Sequence, residues 1–234
     1  MIIERRSSER GRVKAGWLDS HHTFSFGQYY DPEWMGFGPL RVINEDRVDP
    51  GAGFAEHGHA NMEILSYVLS GALSHKDSAG GGGVIRAGEL QWMSAGHGVQ
   101  HSEFNASDSE PVHFLQIWIQ PDRVNATPAY AQRGALPPGA GWRQLASPDG
   151  ADGSLVIRQD ARMYTLQPAA GAVVEHALST RRRYWLQVVR GEVEVNGRAL
   201  VAGDALGYSE EGGSLSVTRR GDDAAEVLLF DLPL

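Results

Sequence analysis

The chain has 234 residues, room for one or two domains of about 150 residues, and its 41% apolar content can bury a core without staples. It has no cysteine, which excludes disulfides and thiolate metal sites, and its formal net charge of −8 argues against direct, non-specific binding to nucleic acid. No apolar run approaches the ~20 residues that span a bilayer, and residues 1–17 lack a signal-type apolar core, so a cytoplasmic protein is expected.

From the N-terminus, Met1-Ile2-Ile3 reads as one short strand, followed to residue 16 by a polar, partly exposed segment. Thr23-Phe24-Ser25-Phe26 alternates polar and apolar, which predicts a half-buried strand. Tyr30-Asp31-Pro32 and Gly36-Phe37-Gly38-Pro39 read as turns, and Leu40–Asn44 alternates again. Trp17, Phe24, Phe26, Tyr29, Tyr30, Trp34 and Phe37 crowd this region; most should fill the core, and a few would wall a pocket for a flat ligand. Asp19, Ser20 and His21 are adjacent and cannot form a hydrolase relay, and no G-x-S-x-G is present.

The stretch from His57 to Asn105 carries the chemistry. His57-Gly58-His59 and His101-Ser102-Glu103 are both i, i+2 pairs in segments that read as strand followed by turn. On a strand such residues share a face, about 6.6–7 Å apart along it. Two such strands side by side would present three imidazoles and one carboxylate to one point. Imidazole suits Zn, Cu, Fe or Ni, and the carboxylate adds a harder oxygen. Between the pairs, Ile64–Leu69 reads as an apolar strand and residues 77–83 as a glycine-rich hairpin tip. No Lys-Ser or Lys-Thr follows those glycines, so they are not a phosphate loop. His75 and His97 read as surface or turn residues. Val112–Ile119 is a buried strand, with His113 a core or cavity residue.

The run GAGFAEHGHANMEILSYVLSG from Gly51 and the run GELQWMSAGHGVQHSEFN from Gly88 resemble the two consecutive motifs of the cupin superfamily. Gly51, His57, His59 and Glu63 match the first motif, but the gap from Glu63 to Gly71 is one residue too long. Gly88, Gly96, His101 and Asn105 match the second, with Ser94 in place of proline and a longer gap before His101. These departures favour Glu103 over Glu63 as the acidic ligand. HHTFSFGQYYDP, GFGPLRVINED, HGHANMEILSYVLSG and SAGHGVQHSE together resemble the pirin branch of the cupins across residues ~17–120. In that branch three His and one Glu hold the metal. Carried over, they fall on His57, His59, His101 and Glu103, and Glu63 is not a ligand.

Residues 120–160 hold Pro121, Pro128, Pro137, Pro138 and Pro148 and read as a long irregular connection. The domain boundary is placed there, with domains at 1–130 and 131–234. Strands then resume at 154–159, 162–166, 172–175, 183–189, 192–195, 214–218 and 225–230. VVRGEVEVNGRALVAGDAL echoes YVLSGALSHKDSAGGGGVIRAGEL, matching Gly191 to Gly71 and Gly203 to Gly88. This half has His176 but no His-x-His, and is expected to hold no metal. Arg181-Arg182-Arg183 reads as a solvated loop.

The fold expected is all-β: two tandem jelly-roll cupin barrels, a bicupin, the first with the metal. The resemblance implies a dioxygenase that opens the central ring of a flavonol such as quercetin, taking a small aromatic substrate and molecular oxygen. It implies one divalent transition metal per chain, iron foremost, with Cu, Mn, Ni, Co or Zn as alternatives. Glu103 would be the catalytic base that takes the proton of the 3-hydroxyl. Other members of the branch imply a second reading, a non-enzymatic, redox-sensitive regulator that uses the same metal site and acts through a protein partner.

Overall fold

The computed structural model describes residues 1–137 and 139–234. Pro138, counted above among the prolines of the connection, lies outside the described residues. The described chain is strands, turns and two short 3-10 segments, and no helix in it is long and apolar enough to cross a membrane. It divides into two compact units. One comprises Gly11–Leu136 with Leu155–Gln159, the other Met1–Arg10, Pro137–Ser154 and Asp160–Leu234.

The first unit has two antiparallel sheets. The larger runs, in spatial order, Ala129–Arg133, Leu90–Ser94, Glu63–Ser70, Val112–Ile119, Leu40–Val48, Leu18–His22 and Gly11–Ala15. The smaller runs Gly53–His59, Val99–Asn105, Ala72–Asp77 and Gly82–Arg86. Period-2 alternation decides what each strand buries. Val99, His101, Glu103 and Asn105 are buried, while Gln100 and Phe104 face out. Leu73, Ile85, Val112 and Phe114 form one apolar cluster; Ile64, Met93, Ala95 and Val99 form another. Ser66, Gln91, Glu103 and Gln116 place polar groups at buried positions of four of these strands.

The second unit repeats this order. Ala205–Ser209, Arg182–Arg190, Glu226–Pro233 and Arg162–Leu166 are neighbours in one sheet, as Leu90–Ser94, Glu63–Ser70, Val112–Ile119 and Leu40–Val48 are in the first unit. Val173–Leu178, Gly213–Arg220, Glu192–Val195 and Arg198–Val201 repeat the order of the smaller sheet. Gly71 and Gly191 close equivalent turns, with φ of 78° and 68°. A Cβ at Gly71 would lie 2.7 Å from the Pro111 carbonyl oxygen, and one at Gly191 2.5 Å from that of Ala224. Both turns therefore need a residue that tolerates the left-handed region and has no side chain.

Several local readings change. Ile2–Arg5 is a strand, but it pairs with Ala205–Ser209 and so belongs to the second unit. Gly11–Ala15, read as irregular, pairs with Leu18–His22. Thr23–Phe26 is not a strand: the chain bends there, and Phe26 forms one isolated bridge with Tyr29. The 120–160 connection contains two strands, Ala129–Arg133 and Arg143–Ser147, whereas 154–159 keeps only Leu155–Val156. Ile2–Arg5, Ala129–Arg133 and Arg143–Ser147 depend on ladder partners that are not their chain neighbours, which local alternation does not reveal, whereas Gly11–Ala15 pairs with the strand that follows it. Arg182 begins a strand rather than lying in a solvated loop, and its guanidinium pairs with Asp231 at 2.5 Å.

Candidate metal centre

Three neighbouring strands of the smaller sheet build the centre. Gly53–His59 supplies His57 and His59, Val99–Asn105 supplies His101 and Glu103, and Ala72–Asp77 supplies His75 and Asp77. His101 pairs across the ladders with His57 on one side and Asp77 on the other. Glu103 pairs with His75 and Phe54, with a bulge in the register between His101 and Glu103. The bulge locally re-aims the strands, a device common beside functional sites.

His57, His59 and His101 bring one donor atom each to within 4.8 Å of one another. The His57 and His101 Nε2 atoms are 3.1 Å apart. His57 Nδ1 lies 2.7 Å from the Ala55 carbonyl, so Nδ1–H donates there and Nε2 keeps its lone pair. Burial, with the neighbouring His57 adding to it, pushes His59 down to about 4. Burial, helped by the neighbouring histidines, pushes His101 down to about 3. Two ring lone pairs that face each other at this separation suit a cation between them. Two nitrogens about 2.1 Å from one ion, at a right angle about it, would lie ~3.0 Å apart. The donor set therefore fits a divalent transition metal.

The second convergent set is His75, His101 and Glu103. With Nε2 of His101 aimed at His57, its Nδ1 carries the proton and faces His75 Nδ1 at 3.4 Å. His75 must then protonate Nε2, which donates to Asp77 Oδ2 at 3.0 Å. Asp77 Oδ1 accepts the backbone N–H groups of Ala79 and Gly81, each at 2.9 Å. One choice of tautomers satisfies every member of this chain. Burial pushes the Asp77 carboxyl up, but His75 and the Gly81 and Ala79 amides outweigh it and hold the group below its ordinary value. His75 is buried and stacks on Tyr130, ring centroids 4.6 Å apart, so it is not the surface or turn residue that the sequence suggests. The i, i+2 rule that finds His57 and His59 also finds His75 and Asp77. The glycines at 80–83 mask this pair by reading as a hairpin tip.

Glu103 is buried among donors. Ser66 Oγ and Gln91 Nε2 lie 3.0 and 2.9 Å from Oε1, and Gln116 Nε2 donates to Oε2. The network continues outward: Tyr130 donates to Gln91 Oε1 at 3.0 Å, and Gln132 donates to Tyr130 at 2.7 Å. Burial pushes the Glu103 carboxyl above its ordinary value, against the pull of His75, Ser66 and Gln116.

Glu63 lies in neither convergent set. Its carboxylate accepts Trp92 Nε1–H, the Ser94 hydroxyl and the Arg158 backbone N–H. Glu63→Ala leaves three donors without an acceptor, each costing ~1–3 kcal/mol when buried. The expected outcome is a stability loss of about 3 kcal/mol or more in urea unfolding, with wild-type metal content in the folded fraction. His97 is exposed in its turn, and half-buried His113 contacts Glu45 Oε1 at 2.9 Å. In the second unit, His176 faces Leu215 across its ladder, where His57 faces His101. Its ring packs on Trp142, Tyr164 and Tyr184 at 5.3–5.9 Å.

His57, His59 and Glu103 line a cavity of about 60 Å³ with Phe26, Phe54 and Trp118. Phe26 and Phe54 also line a larger cavity of about 330 Å³, walled further by Val13, Ala15 and Leu18. Asn44 and Asp46 line both cavities, and sequence reasoning singled out neither.

Residues 4–119 match the Pirin family model, and residues 144–232 match the model of the quercetinase C-terminal cupin domain. A quercetin 2,3-dioxygenase of Escherichia coli K12 is 46% identical over 233 residues, covering 100% of this chain and 99% of its own. A pirin-like protein of Caulobacter vibrioides is 40% identical over 236 residues, covering 98% and 99%. The crystal structure of the bacterial pirin YhhW from E. coli in complex with nickel(II) superposes with a TM-score of 0.93 at 46% identity, covering 100% of this chain and 99% of that one. This chain belongs to the pirin family of the cupin superfamily and is closely related to its bacterial quercetin 2,3-dioxygenase-type members.

Proposed function

We propose that this protein is a metal-dependent dioxygenase that opens the central ring of a flavonol such as quercetin. The observation that carries the reading is the joining of two features. The imidazoles of His57 and His59, with His101 converging on them, and the buried Glu103 carboxylate border a small cavity, and that cavity shares Phe26 and Phe54 with a larger, mostly apolar one. Pockets of about 300–1,000 Å³ with apolar walls and a few placed polar groups suit small-molecule ligands. The two together accommodate a flat ring system with one hydroxyl directed at the centre.

His57, His59, His101 and Glu103 are the residues that would hold the metal, with iron the metal we favour. Such an ion lowers the pKa of a hydroxyl bound to it and supplies the redox chemistry of oxygen insertion. Glu103 takes the hydroxyl proton: the O–H bond breaks, the proton moves to a carboxylate oxygen, and the electron pair stays on the substrate oxygen. Ser66, Gln91 and Gln116 hold that carboxylate in place. Phe26, Phe54 and Trp118 exclude water from the ring. The reading includes two closed jelly-roll barrels, the metal-bearing one within 1–130, and 131–234 without metal.

The test measures bound metal by elemental analysis and, in parallel, oxygen uptake and loss of flavonol absorbance with quercetin. Wild type loaded separately with Fe, Ni, Cu, Mn, Co or Zn should consume oxygen with at least one of them. His101→Ala should lose metal and turnover together. A fully loaded wild type that leaves quercetin unchanged with every metal would overturn the reading in favour of a regulator acting through a protein partner.

A further inference from the structure

Asn44 and Asp46 stand two residues apart on Leu40–Val48, near the centre of the larger sheet, and face the same way. They are 3% and 4% exposed and line both cavities. Asn44 Oδ1 and Asp46 Oδ1 are buried with no hydrogen-bond partner. Leaving such an acceptor unpaired costs ~1–3 kcal/mol, so each unpaired atom calls for an explanation. Among the described residues, neither cavity is lined by a lysine or arginine. The charges that act on Asp46 are those of Glu103 and Glu45, both of the same sign, while Ser20, its partner across the ladder, holds it by a hydrogen bond.

We propose that Asn44 and Asp46 form a polar subsite, separate from the metal ligands, that accepts hydrogen bonds from phenolic hydroxyls of the bound ligand. The inference rests on the flavonol reading above and adds to it the part of the ligand that is recognised. Two unpaired acceptors select a ligand rich in O–H donors. The Phe26 and Phe54 walls that flank the pair suit the ring bearing those hydroxyls. Burial pushes the Asp46 carboxyl up to about 7, against the Ser20 hydrogen bond and with help from Glu103 and Glu45. Discrimination follows because a ligand lacking the hydroxyls leaves both acceptors unpaired.

The experiment compares two probes without oxygen, so that it does not depend on turnover. Quercetin carries hydroxyls on both outer ring systems, while 3-hydroxyflavone carries only the 3-hydroxyl. Their dissociation constants are measured by absorbance titration on metal-loaded wild type, Asp46→Leu, Asn44→Leu and Asp46→Asn. Wild type should prefer quercetin, and Asp46→Leu should reduce the affinity ratio at least ~10-fold, the value of about one lost hydrogen bond to a buried group. Asn44→Leu should reduce it in the same sense. Asp46→Asn keeps an acceptor and should restore the preference, which a merely structural role would not require. An unchanged ratio in Asp46→Leu at wild-type metal content would overturn the subsite while leaving the dioxygenase reading intact. Failure of wild type to bind either probe would also overturn it. A collapsed ratio in a protein that binds but never turns over flavonols would support the subsite and defeat the dioxygenase reading.

Discussion

Glu103→Gln is expected to keep its metal, bound somewhat more weakly, and to lose flavonol-dependent oxygen consumption by about 10²–10⁴-fold, the usual contribution of a positioned general base. The fold should survive because the surrounding amides can adapt. Gln116 Nε2 now donates to Glu103, while Gln116 Oε1 lies 2.9 Å from the Ser66 hydroxyl. Turning the Gln116 amide over lets its oxygen accept from the NH₂ of the introduced amide, and Ser66 can direct its proton to that amide's carbonyl oxygen. The substitution thus removes proton affinity with little loss of packing. Metal per chain and oxygen uptake, measured on the same samples, decide the matter. Undiminished turnover at full occupancy would rule out Glu103 as the base. Loss of metal in step with activity would reduce Glu103 to a ligand.

Asp77→Asn is expected to weaken metal binding about 10–100-fold, although Asp77 does not belong to the ligand set, because partners that orient a ligating histidine are worth that much. The carboxylate holds the proton on His75 Nε2, which leaves His75 Nδ1 free to accept from His101 Nδ1–H. That in turn keeps the His101 Nε2 lone pair directed at His57. An amide at 77 carries no charge and can present its NH₂ group instead, so the tautomer of His75 is no longer imposed. His75→Phe should cost at least as much: it keeps a ring against Tyr130 but removes both nitrogens. Competition against a chromogenic chelator reads the affinity, and urea unfolding of the metal-free proteins reads any loss of fold. Equal affinity in wild type and Asp77→Asn would show that backbone packing alone positions His101.

The parts legible in the sequence are those with a local period. Alternation with a period of two marks Val99–Asn105 and Gly53–His59, so His57 and His59, and likewise His101 and Glu103, can be placed on common faces without knowing which strands pair. The glycine-marked turns at 71 and 191 betray the repeat because both need left-handed backbone under a neighbouring carbonyl. What the tertiary structure alone decided is non-local. Ile2–Arg5 reads as a strand anywhere, but its partner lies some two hundred residues on. His75 and Asp77 join the centre only because Ala72–Asp77 lies against Val99–Asn105. Asn44 and Asp46, on a strand of the other sheet, reach the same cavity as His57 only because the two sheets face each other around it. Strand pairing is settled by burial and register summed over many residues, and no window of neighbouring residues contains that sum.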